Sequence, residues 1–447
     1  MRTRLSIIAG ILLTLLVLAY IFLLPQLRVL TGYVAKNVCS CTFVAERGRE
    51  QIRAQDVGYG LLKYANFEID EANKVVTSSV LGIVKRKAVY RGGIGCVLLP
   101  KEAADQLRTV DLDIPKQQLD DDFPKDMIAD SANFEVDQAL LNEALDEAFE
   151  AKGTRSIVVL ADDYLVTERY AEGFDKDDKH LGWSMTKSLT NAMIGILVKE
   201  GKLSLDDAIA LDDWQTDERK NITLNHLLQM NSGLDWEEVY DKASSATLML
   251  FEAEAMGQSA AEVPQATLPN RMWYYSSGTS NILSEVIRQQ FEDNQSYWNF
   301  PYQALFSKIN APSFRIEADY SGTFVGSSYS FATARDWARF GSLYLNDGYW
   351  NGEQLFPDFW IKYTTTEAPN SDGNYGAHFW LNRGGAYPSV PADMYYCSGF
   401  DGQSVFIIPS RRMVVVRLGV DGIGDMDENA FLEKVLAAVG MRTLVPN

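Results

Sequence analysis

Histidine, cysteine and positive charge are scarce in this sequence. Its 447 residues include 3 histidines and 4 cysteines, and 60 Asp and Glu against 41 Lys and Arg give a formal net charge of −19. Because the chain also lacks a His-Glu-x-x-His motif, a histidine-based zinc site is disfavoured, and we predict no metal. The acidic balance argues against nucleic acid as a partner, since such a surface needs clustered Lys and Arg.

The most apolar segment lies at the N-terminus. Arg2 and Arg4 precede a mostly apolar run at 5–24, and about 20 such residues suffice to span a bilayer. Residues 25–28 make a poor cleavage site. We therefore predict a signal-anchor transmembrane helix over 1–30, with a cleaved signal peptide as the alternative. The basic end then lies in the cytoplasm, which predicts a single-pass inner-membrane protein whose main domain is periplasmic.

Export makes disulfides permissible. Either Cys39 or Cys41 is a candidate partner for Cys96, and unpaired buried thiols are almost as well favoured. The sequence does not choose between these connectivities.

Two folded regions follow the apolar segment. Residues 31–125 form a small strand-rich module in this interpretation, because two β-branched runs separated by a turn predict a hairpin over 67–81. The acidic stretch at 120–124 is the natural linker. Residues 133–445 form the larger domain, and their pattern changes from strands and helices to a mainly helical middle and back again.

The larger domain is predicted to be α+β. One hairpin near its start and two strands near its end would join in an antiparallel sheet flanked by helices, with a largely helical insertion at its edge and the site between the two parts. The predicted elements are helix 136–149, strands 156–160 and 164–167, helix 184–198, strands 405–408 and 413–417, and helix 427–439.

Ser184 and Lys187 form the motif with the clearest chemistry. Residues three apart on a helix share a face, so the amine can lie beside the hydroxyl and serve as the base that a serine nucleophile needs. That role requires an ammonium destabilised by burial and by the positive helix N-terminus. Taken alone, the same spacing also fits an N-cap serine followed by a solvated lysine.

Two further motifs follow in order. Trp-Tyr-Tyr-Ser-Ser-Gly-Thr occupies 273–279, and Cys-Ser-Gly-Phe-Asp-Gly-Gln occupies 397–403. With Met-Asn-Ser-Gly-Leu at 230–234, the set resembles the class C β-lactamase, penicillin-binding protein and esterase family of serine hydrolases over 133–445. The second and third motifs are most similar to its 6-aminohexanoate-dimer hydrolase and esterase branches. The resemblance implies a β-lactamase/D,D-peptidase-like fold, an acyl-serine mechanism and no metal or organic cofactor.

The resemblance also implies individual roles. Ser184 is the expected nucleophile, Lys187 the general base and Tyr275 a proton relay to the leaving group. The backbone N–H groups of Ser184 and Phe400 would form an oxyanion hole, in which one lost donor costs about 2.7–4 kcal/mol of barrier. The expected substrate-binding residues are Ser277, Ser398, Gly399 and Asp401.

Two departures from the family pattern bear on the substrate. Cys397 stands where penicillin-recognising members carry Lys or His, and Ser277 replaces the Asn of many β-lactamases. Both changes argue against efficient β-lactam hydrolysis and favour a small amide, ester or peptide. Asp401 is a candidate for holding a cationic end of that substrate, and a turn carboxylate is the simpler interpretation.

Two other functions compete with this one. A β-lactamase or D,D-carboxypeptidase acting on peptidoglycan-type substrates is the alternative within enzymes. A non-catalytic envelope peptide-binding protein is the alternative from another class, although the simultaneous presence of Ser184, Lys187 and Tyr275 counts against it. A third possibility gives the 31–125 module the main role, as a partner-docking or substrate-gating element. Its sequence offers no chemistry of its own.

Overall fold

The computed structural model describes the backbone of residues 2–100 and 134–441 and the side chains of 22–100 and 134–440. Its described residues fall into two compact units. The first draws on Met1–Arg91, Cys96–Arg108 and Glu237–Glu254, and the second on Gly92–Gly95, Thr109–Trp236 and Ala255–Asn447. The acidic linker predicted at 120–124 lies outside the described residues.

The first unit consists of a four-stranded sheet covered by a long helix. Its strands follow the order β1-β2-β3-β4, and the predicted hairpin is present as the antiparallel pair β1 and β2. Alternating buried residues on the sheet, such as Val76 and Ala88, pack with Val34 and Val38 of the helix. Its elements are α1 (Arg2–Phe43), α2 (Arg49–Gln55), β1 (Asn66–Asp70), β2 (Val75–Val80), β3 (Val84–Arg91), β4 (Gly95–Leu98) and α6 (Ser245–Glu252).

Helix α1 covers the segment predicted as the anchor and continues into the core of the first unit. The side chains of residues 1–21 lie outside those that the structure describes. Within the described part of the chain, no helix has the length and apolar character needed to cross a membrane.

A disulfide joins α1 to β4. Cys39 bonds Cys96 with a Cα–Cα distance of 6.0 Å, whereas Cys41 and Cys397 are buried thiols outside this disulfide. This selects one of the connectivities that the sequence left open. Cys39 lies on the α1 face that packs against the sheet, where Cys96 is also fully buried.

Removing this disulfide is expected to destabilise the first unit. The bond closes a loop with a sequence separation of 57 residues, for which loop-closure entropy predicts about 4 kcal/mol. The double variant Cys39→Ser/Cys96→Ser should unfold at lower denaturant, measured by proteolysis of the first unit across a urea series. Cys41→Ser, a change in the same core, is the control. Dithiothreitol should weaken the wild type and this control but leave the double variant unchanged; equal sensitivity of all three would contradict the assignment.

The second unit is built on a six-stranded antiparallel sheet in the order β13-β14-β15-β16-β6-β7. Its early hairpin and its late strands join where β16 pairs with β6, as predicted from the sequence. Its elements are β5 (Phe134–Val136), α3 (Gln138–Glu150), β6 (Thr154–Ala161), β7 (Tyr164–Tyr170), β8 (His180–Leu181), α4 (Thr186–Lys199), α5 (Leu224–Leu228), α7 (Met256–Ala261), α8 (Ser277–Arg288), α9 (Asn294–Pro301), β9 (Arg315–Ile316), β10 (Ser330–Ala332), α10 (Ala334–Leu345), β11 (Tyr349–Trp350), β12 (Glu353–Gln354), α11 (Trp360–Thr364), β13 (Trp380–Leu381), β14 (Tyr395–Gly399), β15 (Gln403–Ile408), β16 (Met413–Gly419), α12 (Glu428–Ala438) and β17 (Val439–Met441).

Helices cover both faces of this sheet. Leu141 and Leu145 of α3 and Leu432 of α12 share one apolar core with the sheet. On the other face α10 approaches closely, because a Cβ added at Gly341 would lie 2.6 Å from the Val414 side chain of β16. The result is the predicted α+β layering, with the mainly helical segment between β7 and β13 inserted into the sheet's sequence.

Candidate active site

Ser184 lies in a single 3₁₀ turn, Trp183–Met185, immediately before α4. The preceding Gly182 donates its N–H to the Ser330 carbonyl at 2.7 Å, and an added Cβ there would meet the Trp337 ring at 2.6 Å. Trp183 has a φ of +46°, a left-handed conformation that side chains other than glycine rarely adopt. The backbone before Ser184 is thus held in a strained, fixed conformation.

Lys187 points its amine at the Ser184 hydroxyl. The side chain is buried, and Nζ donates to Ser184 Oγ at 3.0 Å. It also donates to Ser277 Oγ at 3.0 Å and to the Ser327 carbonyl oxygen at 2.9 Å. These three acceptors are neutral oxygens, and they come from three separate segments of the second unit. The amine therefore connects α4 with α8 and the segment before β10.

Tyr275 places its ring beside the Lys187 amine. Its ring centroid is 4.8 Å from Lys187 Nζ, within the range of a cation–π contact. The ring is half-buried, stacks on Trp380 at 5.2 Å and meets Tyr375 edge-on at 5.9 Å. Two aromatic side chains thus fix the plane of the Tyr275 ring beside the lysine.

Ser277 begins α8 two residues after Tyr275. The helix is capped by Ser276, whose Oγ accepts the Thr279 N–H at 3.1 Å, so the first turn is held in place. Ser277 is fully buried, and its hydroxyl faces Lys187. We predicted Ser277 as a substrate-binding residue. In this structure its hydroxyl oxygen accepts a hydrogen bond from Lys187 Nζ.

The C-terminal end of β14 runs close to the turn that holds Ser184. A Cβ added at Gly399 would lie 2.2 Å from the Gly182 carbonyl oxygen, so only glycine permits this approach. The next residue, Phe400, is 46 % exposed, and its ring meets Trp183 edge-on at 5.7 Å. The strand end carrying Phe400 therefore lies beside the turn that holds Ser184.

Asp401 lies in the tight turn between β14 and β15. It has a φ of +65°, followed by Gly402 at +82°, and its carboxylate accepts the Gly422 N–H at 2.6 Å. This contact fits the simpler of the two interpretations, a turn carboxylate. Ser398, the other polar candidate on this strand, is half-buried opposite Ser404.

Cys397 faces the interior of the unit. Burial raises the pKa of its thiol to about 12, against a smaller opposing effect of a hydrogen bond with Ser188. The side chain is therefore neutral near pH 7. It brings no cation to the position where penicillin-recognising members carry Lys or His.

His378 is a buried structural residue that links the elements around Lys187. Burial lowers its pKa to about 3, so the ring is neutral. Nδ1 lies 2.8 Å from the Leu228 carbonyl oxygen, which makes it the donor, and Nε2 then accepts the Ser280 hydroxyl at 2.8 Å. The Ser188 hydroxyl donates to the His378 carbonyl at 2.8 Å. His378 thereby links α4, α5 and α8.

Ser327 and Trp380 were not predicted as site residues. Ser327 accepts the hydrogen bond from Lys187 through its backbone carbonyl, a group that every residue has. Its own N–H donates to Asn281 Oδ1 at 3.2 Å. Trp380 reaches Tyr275 from 105 positions later in the chain. No sequence motif marks either contact, because each depends on how distant segments fold together.

The close approach of Gly399 to Gly182 leads to a prediction. Gly399→Ala should push the Phe400 N–H away from Ser184 and lower kcat about 10²–10³-fold, the usual cost of one lost oxyanion donor. Gly48→Ala is the matched control, since Gly48 has a φ of −72° and nothing within 4 Å of an added Cβ. Steady-state kinetics on a p-nitrophenyl ester measure the effect; a kcat within twofold of wild type would contradict it.

Comparisons with known proteins identify a family for this chain. The family model described as beta-lactamase matches residues 144–430. A curated relative, the 6-aminohexanoate-dimer hydrolase of Paenarthrobacter ureafaciens, is 23 % identical over 305 residues, covering 61 % of this chain and 74 % of its own.

Solved structures share the fold. A Bacillus anthracis protein provisionally named a 6-aminohexanoate-dimer hydrolase is 22 % identical with a TM-score of 0.55, over 66 % of this chain and 79 % of its own. A D-stereospecific amidohydrolase from Streptomyces sp. is 15 % identical with a TM-score of 0.51, over 68 % and 98 %. The described fold, the matched family model and the Ser184–Lys187 contact lead to one conclusion: this chain belongs to the beta-lactamase family and is a serine hydrolase with the fold of that family.

Proposed function

We propose that the chain cleaves small amides or esters through an acyl-serine intermediate on Ser184. The observation that carries the proposal is the 3.0 Å contact from Lys187 Nζ to Ser184 Oγ. A serine hydroxyl is a weak nucleophile until a neighbouring base takes its proton. Lys187 is the basic side chain placed to do so.

The reaction then has two halves. Ser184 Oγ attacks the carbonyl carbon while its proton passes to Lys187, and the carbonyl oxygen gains negative charge. The N–H groups of Ser184 and Phe400 are the proposed donors to that oxygen. The tetrahedral intermediate collapses when the C–N or C–O bond breaks, and the leaving group takes a proton through Tyr275. Water then attacks the acyl carbonyl carbon and gives one proton to Lys187. The C–O bond to Ser184 breaks, Ser184 Oγ takes that proton back from Lys187, and the acid leaves.

The amine's three neutral acceptors support the role of Lys187. A carboxylate in their place would hold the ammonium form; hydroxyl and carbonyl oxygens stabilise it less. The Ser277 hydroxyl and the Ser327 carbonyl also orient Nζ, which a general base needs for proton transfer at hydrogen-bond distance.

The neutral thiol of Cys397 favours a substrate without the carboxylate that β-lactams carry. The curated relative is named for a dimer of the amino acid 6-aminohexanoate, which is consistent with a small amide as substrate. A peptidoglycan-derived peptide is a second substrate of the same chemical class.

A substrate panel tests this proposal. Purified protein is assayed with p-nitrophenyl esters of increasing acyl length, amino-acid p-nitroanilides and amide dimers, a D-Ala-D-Ala peptide and nitrocefin. We expect turnover of an ester or amide, and mass spectrometry of the quenched enzyme should find the acyl group on the peptide that contains Ser184. Turnover of nitrocefin or D-Ala-D-Ala alone would favour the β-lactamase or D,D-carboxypeptidase alternative. Absence of any adduct and any turnover would favour a binding protein.

We further propose that residues 1–30 anchor the chain in the inner membrane with the second unit in the periplasm. The support is the apolar run at 5–24 behind Arg2 and Arg4. Carbonate washing of membranes from cells expressing the full chain should leave it in the pellet, and added protease should reach it only after the outer membrane is permeabilised. Release of a shortened mature protein would favour the cleaved signal peptide.

A further inference from the structure

Four large apolar side chains of the first unit are strongly exposed. We call them the apolar rim, and their exposed fractions are 71 % for Leu61, 64 % for Tyr64, 80 % for Leu81 and 76 % for Ile83. Scattered exposed apolar residues are ordinary, whereas a group of them at one place marks an interaction surface.

The rim residues lie at one end of the four-stranded sheet. Asn66 at the start of β1 pairs with Ser79 near the end of β2, so Tyr64 and Leu81, two positions beyond this pair, leave the sheet at the same end. Ile83 follows Leu81 across the turn and precedes β3. Leu61 belongs to the same approach to β1 as Tyr64.

This end of the sheet corresponds to the N-terminal end of the packed part of α1. Arg28 of α1 and Arg86 of β3 both form ion pairs with Glu252. Farther along both elements, the Phe43 ring lies 5.8 Å from the Tyr90 ring. Residue numbers therefore rise together along α1 and β3, so the turn before β3 lies toward the residues of α1 that precede Arg28.

The residues of α1 that precede Arg28 belong to the predicted anchor at 1–30. Phe22 and Leu23 of α1 have exposed fractions of 71 % and 56 %. The apolar rim is thus at the same end of the first unit as the point where α1 enters its apolar segment. The turn at the opposite end of the sheet, 71–74, has the polar sequence Glu-Ala-Asn-Lys and is exposed.

Two lysines adjoin the apolar rim in the chain. Lys63 and Lys85 are exposed beside it, and Lys63 Nζ lies 5.3 Å from the Tyr64 ring centroid. The chain has no Asp or Glu from 75 to 101 or from 57 to 67, in a sequence with 60 of them. Apolar and aromatic tips flanked by lysines are the composition that binds the interface of an anionic bilayer.

We propose that the apolar rim inserts into the headgroup region of the bilayer that holds α1. The rim forms a second membrane contact beside the anchor. This contact fixes how the first unit is rotated about the axis of α1 in the bilayer. This inference rests on the anchor proposed above, and its partner is an anionic phospholipid surface.

Depth-dependent fluorescence tests the proposal in the full chain. Leu81→Cys is labelled with an environment-sensitive fluorophore and reconstituted in phosphatidylethanolamine–phosphatidylglycerol vesicles. Ala72→Cys, an exposed position in the opposite turn, is the matched control. The thiols of Cys41 and Cys397 are buried, so the introduced cysteine is the one expected to react.

The label at position 81 should shift to the blue and be quenched by spin-labelled lipids near the headgroups, and the label at 72 should stay in water. If aqueous iodide quenches both labels equally while carbonate still fails to extract the protein, the proposed membrane contact of the rim is wrong and the proposed anchor is retained. A blue shift at 81 without lipid quenching would indicate a protein partner and also overturn it. Loss of the chain from the vesicles in carbonate would refute the anchor and the rim together.

Discussion

Replacing Ser184 by alanine should abolish covalent labelling by a fluorophosphonate probe and lower hydrolysis by at least about 10³-fold. The expectation follows from loss of the atom that forms the acyl bond, after which only binding and the oxyanion donors remain. Gel fluorescence of the labelled protein and initial rates on the best ester of the panel measure the two effects.

The Ser184→Ala protein should keep its fold. Ser184 is half-buried in the middle of a turn whose backbone is held by Gly182 and by the Thr186 hydroxyl, which donates to the Trp183 carbonyl at 2.7 Å. Ser204→Ala, at an exposed serine, is the matched control and should label as the wild type does. Undiminished labelling of Ser184→Ala, with circular dichroism unchanged, would refute the assignment of the nucleophile.

Replacing Lys187 by methionine should lower kcat by about 10²–10⁴-fold, the range that a general base contributes. Methionine keeps the length and apolar character of the lysine stem, and it removes the amine that faces Ser184 Oγ. The Ser277 hydroxyl and Ser327 carbonyl lose their donor, so we also expect a loss of about 1–3 kcal/mol in stability. Stopped-flow measurement of the acylation burst separates the chemical effect from substrate binding.

Helix α4 supplies the control for this experiment. Lys199, in the last turn of the helix, is exposed, and Lys199→Met should keep wild-type kinetics. Lys187→Arg should fail like Lys187→Met, because a guanidinium does not give up its proton. Wild-type acylation by both Lys187 variants would mean that another group takes the serine proton.

Local patterns in the sequence predicted much of the second unit. The β-branched runs that became β6, β15 and β16 predicted strands, and the sheet buries these strands on both faces. The apolar periodicity of α3 predicted the face of that helix that is buried. The predicted family is confirmed by the matched model. The helix predicted to begin at Ser184 differs in detail, since Ser184 lies in a 3₁₀ turn before α4 and not within it.

Other features did not follow from local patterns. The segment Glu237–Glu254 belongs to the first unit, although it lies within the predicted range of the larger domain. Its Glu252 carboxylate pairs with Arg28 and Arg86, and neither arginine is near it in the chain. Ion pairs of this kind depend on the assembled unit, so no window of sequence contains them.

By itself, the sequence determined the family and the Ser184–Lys187 pair, because a motif in fixed order and a spacing of three residues are both local properties of the chain. Tertiary structure alone decided which cysteine pairs with Cys96, which carbonyl holds Lys187 and which rings orient Tyr275. The physical reason is that these contacts join residues 57 to 140 positions apart. The packing of whole elements determines which of many chemically equivalent groups come together, and no short stretch of sequence encodes that packing.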